Sequence, residues 1–114
     1  MSKVRLSQNQ KDALFILALL ESNGHVDFIA VEKVRQMVEK PRPSFVDPSN
    51  FRKGIRTLHQ RGSIDVARKS DLSLVMKLTR SGRHQAAKIY RERTGTELDI
   101  RAVDDEQMTI FDNQ

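Results

Sequence analysis

The 114-residue chain contains no cysteine and no tryptophan. Without thiols it has no disulfide framework, no thiolate nucleophile and no cysteine-ligated zinc or iron–sulfur site, and it suits a reducing compartment. Aromatic residues make up only 5% of the sequence, so any core must be mainly aliphatic. Long hydrophobic runs are absent as well. The longest, Ala13 to Leu20, is too short to cross a bilayer, and the first twelve residues lack the apolar stretch of a signal peptide. The expectation is an intracellular protein with no membrane partner. Signatures of catalysis are missing too: His25, His59 and His84 have no metal-ligand spacing, and no nucleophile elbow or phosphate-cradling glycine loop occurs. The glycines stand singly at helix ends and turns, except Gly54, which lies inside a helical pattern and either permits close backbone packing there or simply costs helix stability. The reading is therefore a non-enzyme with no cofactor and no metal.

What the chain has is charge, unevenly placed. Apolar residues are 38% and charged residues 31%, a soluble composition long enough for one domain with its own core. Residues 1 to 94 carry 19 basic and 9 acidic side chains, net +10, whereas residues 95 to 114 carry 1 basic and 6 acidic, net −5. A basic body suggests a polyanionic partner, and the acidic tail a separate task.

Ser7-Gln8-Asn9-Gln10 fits a capping box, after which Ala13, Leu14, Leu17 and Leu20 recur at helical spacing up to Asn23-Gly24, predicting a helix from Gln8 to Ser22. Asp27 can cap a second helix. In it Val31, Val34 and Val38 face inward while Glu32, Lys33, Arg35 and Glu39 face solvent, and Pro41-Arg42-Pro43 ends it. Asp47-Pro48 starts a third helix, with Phe51, Ile55 and Leu58 as its core stripe and Arg61-Gly62 as its exit. From Ser63 the period becomes two: Ile64 and Val66, a basic break at Arg68-Lys69-Ser70-Asp71, then Leu72, Leu74, Met76 and Leu78. That is a β-hairpin with a basic tip. Thr79 caps a last helix to about Arg93, with Ala86, Ile89 and Tyr90 on its apolar face and Thr94-Gly95 at its end. Beyond Gly95 no period is sustained, and disorder is expected.

Three helices, a hairpin and a terminal helix make an α+β, mostly α, arrangement. Together with Leu78-Thr79-Arg80-Ser81-Gly82-Arg83, which enters the last helix as "leucine, threonine, two residues, glycine", it resembles the winged-helix family of DNA-binding domains over residues 7 to 94. The resemblance implies a domain at 1–94 that binds double-stranded DNA through its third helix and hairpin wing, and a location in the cytoplasm at the nucleoid. The third helix supports this from its residues alone. With Phe51, Ile55 and Leu58 turned inward, Arg52, Arg56 and His59 share an outward face with Ser49, Lys53 and Gln60 beside them. Arginine forks match guanine edges in the major groove, so Arg52 and Arg56 are the candidate base readers, while Lys53, Ser49, Arg68, Lys69 and Ser70 suit phosphates. Phe45, in the loop before this helix, fits a hydrophobic staple or core edge. Few exposed aromatics disfavour single strands or RNA. The bland reading of the same cations is an ordinary solvated surface.

The tail carries Gln107-Met108-Thr109-Ile110-Phe111. This resembles the peptide with which bacterial polymerases and repair proteins bind the sliding clamp. By that resemblance Gln107 is the polar anchor, Met108 the first apolar contact, and Ile110 with Phe111 the pocket plug, with methionine and isoleucine departing in shape from leucine. The alternative is that Met108, Ile110 and Phe111 fold back as a clasp on the domain or on a second copy. Expectation thus divides three ways: a bacterial, plasmid or phage replication, repair or plasmid-maintenance factor tethered to the clamp; a dimeric transcription regulator whose tail is a clasp; or a winged-helix adaptor for proteins.

Overall fold

The computed structural model describes residues 5–95. Their order is α1 (Gln8–Ser22), β1 (Ile29–Ala30), α2 (Val31–Glu39), α3 (Pro48–Gln60), β2 (Ile64–Arg68), β3 (Leu74–Leu78) and α4 (Arg80–Thr94). The expected α+β, mostly helical class is found, and the clamp-like peptide Gln107–Phe111 lies outside the described residues.

Helix α1 begins with the capping box read from the sequence: Gln10 N donates to Ser7 Oγ at 3.1 Å, and Ser7 N donates to Gln10 Oε1 at 2.8 Å. Gln10 also reaches across the molecule, its Nε2 donating to the Gly54 carbonyl of α3 at 3.2 Å. A Cβ on Gly54 would stand 3.3 Å from Gln10 Cγ, so the missing side chain brings the two helices close. Leu14 and Leu17 of α1 meet Val34, Phe51, Leu58, Ile64, Met76 and Leu78 in an almost wholly aliphatic core. α1 packs against α2, α3, α4 and β3, and so is the spine of the domain.

At the second helix the structure departs from expectation. Asp27 does not cap α2; its carboxylate accepts from Phe28 N at 2.7 Å, and α2 starts at Val31 with Ala30 as a cap residue that makes no side-chain bond. The cause is tertiary, because Ile29 and Ala30 pair antiparallel with Met76 and Val75, giving a three-stranded sheet in the order β1-β3-β2. The hairpin is also shorter than its alternation suggests. β2 and β3 pair from Ile64↔Leu78 to Arg68↔Leu74, and Leu72 belongs to the turn, not to a strand. Phe45 is neither staple nor core edge: it is 71% exposed, 5.8 Å from the Arg35 guanidinium, and Val46, directly before the cap Asp47, is the buried residue.

The entry to α4 explains its sequence. Thr79 Oγ1 accepts from Gly82 N at 3.0 Å and donates to the Gly62 carbonyl at 2.6 Å, and Thr79 N donates to the Ser63 carbonyl at 3.1 Å. One threonine thereby ties the exit of α3 to the start of α4. A Cβ on Gly82 would lie 1.8 Å from the Ser63 carbonyl oxygen, so only glycine fits. On the far side of α1, Arg83 Nε donates to both carboxylate oxygens of Glu21 at 3.0 and 3.2 Å, in an almost fully buried pair. Asp12 accepts from both Arg42 and Arg93, the latter at 2.5 Å, tying the loop after α2 and the end of α4 to α1. Burial raises the Asp12 pKa, but the hydrogen bonds and charges of Arg42 and Arg93 outweigh it and hold the carboxyl below its usual range.

Candidate nucleic-acid interface

Helix α3 is built to show one face. Asn50 N donates to the Asp47 carboxylate at 2.9 Å, Pro48 pre-sets the first turn, and Phe51, Ile55 and Leu58 sink into the core. Ser49, Arg52, Lys53, Arg56, His59 and Gln60 remain outside, all exposed, as does Asn50.

The direction in which α3 leaves α2 is set by Arg35, which the sequence pattern had assigned to the solvent face and the structure buries. Its Nε and Nη2 donate to Glu32 at 2.9 and 2.6 Å, while Nη1 donates to Glu39 at 3.1 Å and to the Val46 carbonyl at 2.8 Å. Glu39 in turn accepts from Val46 N at 2.8 Å. The guanidinium locks the α2–α3 turn, with all three of its nitrogens donating. The spacings of three residues from Glu32 to Arg35 and four from Arg35 to Glu39 carry this signal, but they look the same on any solvated helix face. Hydrogen bonds from Arg35 hold the Glu32 carboxyl below its usual range, with a smaller contribution from the Arg52 charge.

α3 and the hairpin enclose an open groove of about 540 Å³. Arg52, Arg56 and His59 line it from α3, Arg68 from β2, Glu32 and Arg35 from α2, and Ile55, Val66 and Leu74 supply its apolar floor. Ser49, Lys53, Gln60, Lys69 and Ser70 are exposed around this face and do not line the groove. Arg52 Nη2 approaches Ser49 Oγ at 3.5 Å, and Arg68 Nη1 donates to the Leu72 carbonyl at 2.9 Å. Among the described residues, no carboxylate lies within 4.0 Å of Arg52, Lys53, Arg56, Arg68 or Lys69. Cations without carboxylate partners around a concave surface attract phosphate and are screened by salt. Among the described residues no cluster of three or more His, Asp or Glu could hold a metal ion, and no helix is long and apolar enough to cross a membrane.

No protein-family model and no curated protein matches the chain. Solved structures do. F-93 of SSV1 superposes with a TM-score of 0.56 at 18% identity, covering 80% of this chain and 91% of its own. ZitR of Lactococcus lactis, a zinc-responsive MarR family member, gives 0.55 at 16% identity over 95% of this chain and 63% of its own. AdcR of Streptococcus pyogenes, the adhesin competence repressor, gives 0.53 at 14% identity over 96% of this chain and 65% of its own. The fold is a winged helix. In that frame β2 and β3 form the wing, and the chain spans less than two thirds of the length of ZitR and AdcR. At such identities the likeness is one of fold.

Proposed function

We propose that this winged-helix protein is a transcription regulator that binds double-stranded DNA rather than an enzyme. α3 would enter the major groove, with Arg52 and Arg56 at base edges, His59 and Gln60 beside them, and Ser49 and Lys53 at phosphates. The wing would hold the neighbouring backbone through Arg68, Lys69 and Ser70. The observation that carries this reading is the groove between α3 and the wing, lined by Arg52, Arg56 and Arg68, none of which has a carboxylate within 4.0 Å among the described residues. A phosphodiester strand separating a major from a minor groove suits that cleft in shape and charge.

Regulation takes precedence over replication, repair or plasmid maintenance because a repressor is among the similar structures. A homodimer reading two half-sites belongs to the same proposal. Binding of a labelled duplex over a salt series tests it, comparing the full chain with Arg52→Ala/Arg56→Ala. Affinity that falls steeply with salt and is lost in the double variant is the expected result. No duplex binding even at low salt would turn the basic face into a protein-docking surface. A supershift by bacterial sliding clamp that needs residues 97–114 would return the replication reading.

A further inference from the structure

The tip of the wing breaks the rule of its own turn. Lys69 N donates to the Ser73 carbonyl at 2.9 Å and Leu72 N to the Lys69 carbonyl at 2.8 Å, the pattern of a hairpin closed by three residues, Ser70 to Leu72. In such loops the third residue takes the left-handed conformation and is ordinarily glycine. Here it is Leu72, at φ 69°, the one non-glycine residue with positive φ among those described. The conformation is held from several sides: Arg68 Nη1 donates to the Leu72 carbonyl, and Asp71 accepts from the backbone and hydroxyl of Ser73 at 3.0 and 2.6 Å. The side chain gains no burial in exchange, being 71% exposed. A residue strained in the backbone and unburied directs attention to a role outside the fold.

Its surroundings indicate what. Leu72 follows the exposed cations Arg68 and Lys69 in the same tip, accepts at its carbonyl from the Arg68 guanidinium, and lines the groove with Arg68, Arg56 and His59. Cations beside an apolar point complement a minor groove, where phosphates form the rims and sugar C–H groups the walls, and where apolar side chains serve as wedges. Resting on the DNA-binding reading, the geometry points to Leu72 as an apolar minor-groove contact, presented by a turn whose backbone would favour glycine.

The test uses the full chain and a short labelled duplex with an A·T-rich flank, with Leu72→Gly, Leu72→Asn and Leu72→Met beside Arg52→Ala/Arg56→Ala. Glycine and asparagine both suit the left-handed position, so these two variants are expected to melt no lower than the parent while binding DNA about tenfold more weakly. The dependence of affinity on salt stays unchanged, because no cation is removed. Leu72→Met restores most of the affinity. Parent-like binding by Leu72→Gly and Leu72→Asn, alongside loss in the arginine variant, would overturn the wedge and leave the DNA reading standing. Equal loss in Leu72→Met and Leu72→Asn would overturn it too, since apolar character would not be what is recognised. A parent protein that binds no duplex removes both proposals together.

Discussion

The two sides of the domain treat arginine in opposite ways. Between α1 and α4, Arg83 is buried against Glu21, and Asp12 takes up both Arg42 and Arg93. On the α3 and wing side, Arg52, Arg56 and Arg68 line a cleft, and among the described residues no carboxylate lies within 4.0 Å of any of the three. Charge paired inside the chain fixes helices to one another, whereas charge without an internal acid is left for an external one. Arg35 is the exception that shows what decides: it lines the same cleft, yet carboxylates lie within its reach, and all three of its guanidinium nitrogens donate to Glu32, Glu39 or the Val46 carbonyl. Arg35, Arg42, Arg83 and Arg93 are matched by Asp12, Glu21, Glu32 and Glu39, so these pairs leave the net charge of +10 for the body to the remaining side chains.

The contrast can be broken most severely at the junction joining the sides. Gly82→Ala drives a Cβ into the Ser63 carbonyl. Overpacking against backbone is expected to cost about 3 kcal/mol, and urea unfolding should show the midpoint collapse, with DNA binding lost as a consequence. Arg52→Ala/Arg56→Ala should do the reverse, lowering duplex affinity about 100-fold while the urea midpoint stays with the parent. Asp12→Asn tests the paired side, where a loss of about 1 to 2 kcal/mol is expected with little change in DNA affinity. Its pH dependence has a definite sign. Because the folded pKa of Asp12 is depressed, its contribution is fully present above the unfolded value of about 3.9 and disappears as pH falls through the folded value. The parent should lose stability on acidification below about pH 4, and Asp12→Asn should flatten that slope. The smallest effect is Lys53→Ala, expected to weaken binding several-fold for all sequences and to lower the salt slope by about one.

Local chemistry made most of the fold legible. Ser7 with Gln10, Asp47 with Pro48, and Thr79 with Gly95 marked helix ends that the structure places where their caps require. Two-residue β1 carried no periodic signal, and its pairing with β3 cancelled the cap that Asp27 offered. Alternation through Leu72, Leu74, Met76 and Leu78 read as one strand because period two does not register the sign of φ. The outward face of α3 could be read from the inward one, since Phe51, Ile55 and Leu58 leave a single side for Arg52 and Arg56. The groove could not, because it needs the wing brought alongside α3 by contacts distant in sequence. Arg35 was obscured for a different reason: a buried charge in a complete hydrogen-bond network has the same sequence spacing as a solvated one.

Gln10 holds the Ser7 amide with one end of its amide group and the Gly54 carbonyl with the other. The first turn of α1 and the midpoint of α3 are therefore coupled mechanically through a single side chain. A force or a ligand that displaced the chain just before α1 would be delivered, like a push on a lever, to the middle of the helix that carries Arg52 and Arg56.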